Sequence, residues 1–240
     1  MSGLRAVVWG ATGGIGGALV ETFASSGDYA AIHAGSRTPT SPSADTVKPF
    51  TFDLLDEASI AAAAQEVLAA GPVDLVIIAT GMLHSDRHKP EKQLAALTPA
   101  AMATAYQVNT IGPAMIAKHM ALGLPRDRRS VFAALSARVG SIGDNRLGGW
   151  HSYRASKAAL NMIIANLAIE LARSRPQAIA VGLHPGTVDT GLSLPFQKSV
   201  PDGSLFSPEF SARQLLTVID GLDVTSSGAV LAWDGQRIAP

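Results

Sequence analysis

Tyr153 and Lys157 stand four residues apart in Tyr153-Arg154-Ala155-Ser156-Lys157. On a helix that spacing puts both side chains on one face. A nearby ammonium favours the phenolate and lowers a tyrosine pKa from about 10. A tyrosine tuned in this way can give a proton to a carbonyl oxygen, or take one from an alcohol, near neutral pH. A second group is Gly10-Ala11-Thr12-Gly13-Gly14-Ile15-Gly16-Gly17 near the N-terminus. Glycines allow a tight turn and a close approach to a pyrophosphate, and a helix that follows offers N–H groups and a partial positive charge. Ser136, which follows an apolar run, is a hydroxyl that could bind a substrate oxygen.

These groups need a strand before the glycine turn, a helix after it, and a helix under the tyrosine. Short apolar runs occur at residues 6–9, 29–34, 73–79, 130–135, 178–183 and 229–233. Each is apolar along its length, as parallel strands are when both faces are covered. Helical stretches lie between them at 15–26, 56–70, 98–122, 152–173 and 207–220. Asp56, Thr98-Pro99 and Ser207-Pro208-Glu209 are good N-terminal caps for three of these. The alternation predicts an α/β fold, a doubly wound, Rossmann-like parallel sheet with helices on both faces. The Pro/Ser-rich stretch 38–49 reads as a surface loop in place of most of one helix. The stretch 193–207 carries Leu194, Phe196, Leu205 and Phe206, and such an apolar loop is expected to cover something. The expectation is one dinucleotide-binding domain over 1–240, with a substrate loop at about 190–207.

Composition narrows the function classes. Lys plus Arg and Asp plus Glu are 19 each, so no general pull toward nucleic acid or an anionic membrane is expected. Apolar residues are 47% and charged residues 16%, which excludes a disordered tail protein. The absence of cysteine excludes disulfides, zinc–thiolate sites, iron–sulfur clusters and cysteine nucleophiles. No apolar run reaches the length of about 18 residues needed for a membrane span, and the N-terminus has no signal-peptide core. A cytoplasmic location is expected.

The spacing Gly10-x-x-x-Gly14-x-Gly16 resembles the turn of the short-chain dehydrogenase/reductase family, and the rest of the chain continues the likeness. Tyr153-x-x-x-Lys157 is similar to that family's signature. Asn109 in Val108-Asn109-Thr110 matches its helix asparagine, and Ala79-Thr80-Gly81 stands where the family usually reads Asn-Ala-Gly. Asp53 sits at the place of an acidic residue near the adenine, and Pro185 to Thr190 matches the segment that places the nicotinamide. The tail from Gly228 to Gly235 resembles the subgroup of C-factor and sniffer-type carbonyl reductases.

The resemblance implies catalysis by Asn109, a serine, Tyr153 and Lys157. It implies cofactor binding by Gly10, Thr12, Gly13, Gly14, Ile15 and Gly16 in the turn, and by Asp53, Leu54, Ala79, Thr80 and Gly81 at the following strand ends. Tyr153, Lys157, Pro185, Gly186, Val188 and Thr190 would complete that site. Three positions depart from the family. The first asparagine of Asn-Ala-Gly is missing, and Arg154 stands where small residues are usual. Alignment on Gly140 puts Ala137 where the catalytic serine belongs. Ser136 is taken as the serine, with Ser141 or a water as the alternatives.

The second strand leads to Gly35-Ser36-Arg37, with no carboxylate to accept ribose hydroxyls. Ser36 and Arg37 can donate to a 2′-phosphate, so NADP(H) is expected ahead of NAD(H). Met82, Val139, Ile142, Leu147, Trp150, His151, Val188, Leu192 and Phe196 are the expected pocket groups. Their apolar character predicts a hydrophobic aldehyde or ketone as the substrate. Arg138 and Arg146 remain as possible carboxylate grips. Under the family's scheme, hydride passes between the nicotinamide and the carbonyl carbon while Tyr153 moves the proton. Lys157 lowers the tyrosine pKa and bonds the ribose, and Asn109 holds a water.

A redox-sensing dinucleotide-binding regulator would need the cradle alone, and the Tyr153, Lys157 and Asn109 set argues against it. A sugar-nucleotide epimerase or dehydratase would need a larger C-terminal region. His84 and His88 have metal-ligand spacing but sit in a charged loop with no helix expected, so no metal site is assigned. The cluster Arg126, Arg128 and Arg129 reads as a solvated turn. The helix 152–173 is apolar on its outer side too, at Ala155, Ala158, Met162, Ala165 and Ile169. A second copy covering that face would make a homodimer, or a homotetramer built from dimers.

Overall fold

The computed structural model describes residues 3–85 and 88–240. Strands β1 (Leu4–Trp9), β2 (Tyr29–Ser36), β3 (Val47–Thr51), β4 (Leu75–Ile78), β5 (Ser130–Leu135) and β6 (Ala178–His184) come first. Two short strands follow, β7 (Thr187–Val188) and β8 (Leu205–Phe206), and then β9 (Val230–Ala232). Seven of them form one parallel sheet in the order β3-β2-β1-β4-β5-β6-β9, while β7 and β8 pair with each other. The order reverses direction between β1 and β4, and in such sheets the crevice beyond the strand C-termini at this point takes the ligand.

Strand alternation divides the core. Val7 and Trp9 point to one face, with Phe132, Ile116, Met120, Leu160 and Ile164. Ala6 and Val8 point to the other, with Leu19, Phe23, Ile77, Leu183, Leu215 and Ile219. The helices are α1 (Gly14–Ser26), α2 (Glu57–Ala69), α3 (Pro99–Tyr106), α4 (Gly112–Met120), α5 (His151–Ser174) and α6 (Pro208–Asp220). Asp56, Thr98 and Ser207 cap α2, α3 and α6 through their side-chain oxygens, as expected. By length and composition α5 could cross a membrane. Its inner residues Leu160, Ile164, Leu167 and Leu171 are instead packed into the core.

Two expectations are corrected. Residues 47–51 form an edge strand, where stretch 38–49 was expected to be loop. Val47 and Phe50 are buried on opposite faces of the sheet, each in a different core cluster, while Lys48 and Thr51 are exposed. The strand pairs with β2 alone, so Pro49, which has no N–H, is tolerated at the sheet edge. The helix expected over 98–122 is divided by a π-helical turn at Gln107–Ile111, which contains Asn109. Pro113 follows, and the wider turn precedes a residue that cannot donate to the ladder.

Candidate active site

Helix α5 carries Tyr153 and Lys157 beneath the end of β5. Lys157 is buried, and its Nζ donates to Leu135 O at 2.8 Å. Burial pushes the ammonium down to about 8. Nζ lies 5.9 Å from the centroid of the Tyr153 ring. The Tyr153 hydroxyl makes no hydrogen bond among the described residues, and burial pushes it up to about 12. The expected lowering by Lys157 is therefore absent here. The ammonium is turned to a backbone carbonyl, and burial outweighs its attraction. Such a phenol is protonated across the neutral range and can act as an acid.

Ser136 is also buried, and its Oγ donates to Asn161 Oδ1 at 2.6 Å, one helical turn beyond Lys157. Ser141 accepts from Asp144 N at 2.9 Å and contacts Pro240 O at 3.4 Å. It holds the loop after β5 and does not line the cavity described next. Gly140 lies against the lysine, since a Cβ there would meet Lys157 Cβ at 2.8 Å.

Asn109 is fully buried. Its Oδ1 accepts from Met82 N at 2.8 Å, and its Nδ2 donates to Met82 O at 2.8 Å and Ser156 Oγ at 3.0 Å. A Cβ on Gly81 would stand 3.7 Å from both Asn109 Oδ1 and Lys157 Nζ. Asn109 thus ties the end of β4 to α5 beside the lysine.

A cavity of about 530 Å³ runs from the glycine turn to Tyr153 and Lys157. Thr12, Gly13, Gly14 and Ile15 line one end; Ala79, Thr80 and Gly81 follow; Ser136, Ala137, Pro185, Gly186, Val188 and Thr190 are also on its wall. The turn is shaped for close approach. Gly10 has φ +100°, and a Cβ on Gly16 would stand 2.2 Å from Gly10 O. The N-cap residue of α1, Gly13, offers no side chain to its first N–H groups. Thr80 Oγ1 and His184 Nδ1 are buried without partners, and both residues line the cavity. Orphaned polar atoms around such a space fit a polar cofactor.

Gly10, Gly16, Ser36, Arg37, Asp53 and Leu54 lie outside the lining. Ser36, expected to donate to a 2′-phosphate, is the last residue of β2, and its buried hydroxyl donates to Thr38 O at 2.6 Å. Arg37 beside it is exposed. The Asp53 carboxylate accepts from Leu55 N at 2.9 Å within its own turn. Leu54 packs on Gly112, where an added Cβ would meet its Cγ at 2.5 Å.

Val139, Trp150, Val188, Leu192 and Phe196 line the cavity as expected, and Leu83 joins them. Met82, Ile142, Leu147 and His151 do not, and Ile142 and Leu147 are 79% and 92% exposed. Trp150 meets Phe196 with centroids 5.2 Å apart and Tyr153 at 6.3 Å. His84 contacts Phe196 at 5.8 Å and Gly191 O at 3.1 Å. Asp86 and Arg87, between His84 and His88, lie outside the described residues. Arg138 pairs with Asp144 and Arg146 bonds Gly143 O, so neither reaches the cavity. Sequence reasoning missed Asn161, His184 and Glu91. Asn161 could have been found by extending the Tyr153–Lys157 face another four residues.

Residues 5–200 match the short chain dehydrogenase family. The chain belongs to that family. It is an oxidoreductase fold with the family's cradle, tyrosine and lysine in one cavity. The C-signal protein of Myxococcus xanthus is 36% identical over 140 residues, 58% of this chain and 78% of that protein. An uncharacterized oxidoreductase of Schizosaccharomyces pombe is 29% identical over 251 residues, 95% of each chain. Among solved structures, the NADPH-bound carbonyl reductase from chicken fatty liver is 25% identical, with a TM-score of 0.84 over 100% of this chain and 96% of that one. The carbonyl reductase Sniffer of Drosophila melanogaster shares the fold at a TM-score of 0.86 and 19% identity, over 99% of this chain and 100% of that one.

Proposed function

We propose that this enzyme is an NADP(H)-dependent carbonyl reductase for apolar aldehydes or ketones, acting in the cytoplasm as one domain over 1–240. The observation that carries the reading is one continuous cavity. It has a glycine turn at one end and an unbonded, protonated tyrosine beside a buried lysine at the other. The turn and the α1 N-terminus would hold the pyrophosphate, and Arg37 would meet a 2′-phosphate. Thr80 and the 185–190 segment would hold the nicotinamide end. The bound nicotinamide would supply the hydride. Tyr153 gives the proton to the developing alkoxide, and Lys157 offsets the negative charge left on the phenol. The loop at about 190–207 brings Leu192 and Phe196 over the substrate.

The test is binding of NADPH and NADH followed by nicotinamide fluorescence. NADPH is expected to bind at least about tenfold more tightly, and R37A to remove most of that preference, as loss of a charge-assisted phosphate contact should. NADH affinity equal to that for NADPH contradicts the assignment.

Ser136 is proposed to hold the substrate oxygen once its proton is turned from Asn161 to the cavity. S136A is then expected to lower kcat by about 10²-fold, in the range for one oxyanion donor. Unchanged turnover would pass the role to a water beside Ala137.

The outer face of α5 leaves Met162 and Ile169 62% and 56% exposed. A second copy on this face would cover them, giving a homodimer or homotetramer. Light scattering at micromolar concentration is expected to show at least a dimer, and a monomer contradicts it.

A further inference from the structure

Helix α5 starts without a cap of its own. Its N-cap residue is Trp150, which has no side-chain oxygen to offer. Trp150 is also in the left-handed region, at φ +50° and ψ +41°, and it alone among the described non-glycine residues has a positive φ. Gly148 and Gly149 before it have φ +61° and +65°. A bulky residue holds such a conformation only where its surroundings impose it.

Glu91, from the segment between β4 and α3, supplies what is missing. It is 5% exposed. Its Oε2 accepts from Ser152 N at 3.1 Å, and its Oε1 accepts from the Ser152 hydroxyl. Its backbone carbonyl accepts from Trp150 N. A carboxylate at a helix N-terminus also faces the favourable end of the dipole. One residue thus holds the left-handed turn through Trp150 N and the helix start through Ser152 N and its hydroxyl. The next residue of that helix is Tyr153, and Trp150 is part of the cavity wall.

We propose that Glu91 is a positioning residue for the active site, clamping the start of α5 so that Tyr153 and Trp150 face the cavity. The inference rests on the reading of Tyr153 as the proton donor. Arg154 closes the same turn from the other side, donating to Gly148 O at 3.1 Å and Gly149 O at 3.0 Å. A guanidinium only donates, so it cannot accept from a helix N–H and does not replace the glutamate.

The test uses the full chain as E91A, E91Q and E91D, with two readouts. The first is amide hydrogen exchange over residues 150–157, which needs no activity. E91A is expected to exchange about tenfold or more faster there, with the sheet core unchanged. The second is kinetics with NADPH and a reducible carbonyl. E91A is expected to lose roughly 10²-fold in kcat, as displaced catalytic groups do, with the NADPH Kd unchanged. E91Q should recover most of the rate, because its amide oxygen can accept from Ser152 N while its NH2 donates to Ser152 Oγ. E91D, shorter by one methylene, should fall between. Wild-type exchange in E91A overturns the proposal whatever the activity, and so does faster exchange with unchanged kcat. If E91A does not fold, E91D carries both readouts, and wild-type values in both overturn the proposal. If the wild type reduces no carbonyl, the proposed function fails, and the clamp is still decided by exchange.

Discussion

Y153F is expected to bind NADPH as the wild type does and to reduce carbonyls at least about 10³-fold more slowly, within the range for loss of a general acid. The substitution removes one oxygen. That oxygen makes no hydrogen bond within the described protein, so its loss leaves no partner unsatisfied. The ring keeps its edge contact with Trp150 at 6.3 Å and its place beside Lys157 Nζ. Fold and cofactor site should therefore survive, and the defect should appear in kcat. Steady-state rates with an apolar ketone, beside a NADPH titration, measure both. A variant that keeps its turnover would remove Tyr153 from the chemistry.

K157M is expected to lower kcat by about 10²-fold or more, as removal of a preorganised charge in a dry site does. Unlike Y153F, it should also weaken NADPH binding, because the family resemblance gives the lysine a second task at the nicotinamide ribose. Its clearest signature is in the pH profile. Burial holds Tyr153 near 12 and Lys157 near 8. Reduction needs the phenol protonated, which holds at every working pH. It also needs the ammonium, which is present below about 8 and lost above it. The wild-type reduction rate is therefore expected to be flat at neutral pH and to fall as pH passes 8. In K157M that falling limb should vanish. The reverse reaction needs the phenolate and should speed up with pH. A falling limb near 8 that persists in K157M would show that another group titrates there.

The parts of this enzyme that sequence reading reached are those with a local signature. The glycine turn, the Tyr153–Lys157 spacing and the three capped helices each follow from neighbours a few residues apart. The edge strand Val47–Thr51 has no uninterrupted apolar run to mark it, because exposed Lys48 and Thr51 and a proline break its sequence, and only an edge tolerates that proline. The apolar run at 29–34 stops short of Ser36, which the structure includes in β2 with its hydroxyl turned to Thr38 O. The tyrosine pKa was misjudged for another reason. Spacing showed that a lysine was near, but its hydrogen bond to Leu135 O is a tertiary contact, and the cost of burial is set by the whole fold. Glu91 lies 61 residues from Ser152 in the chain, so no local pattern could pair them. Alignment on Gly140 raised the serine question, and the structure answers with two neighbours. Ser136 bonds Asn161 on α5, and both Ser136 and Ala137 line the cavity.

The most direct test of the central claim is loss of NADPH fluorescence when apolar aldehydes and ketones are added to the loaded enzyme, with Y153F measured alongside. The wild type is expected to oxidise NADPH with at least one of them, while Y153F holds NADPH and leaves it reduced. Tight NADPH binding by the wild type with no oxidation across a broad panel would contradict it. That result would favour a dinucleotide-sensing regulator built on the same cradle.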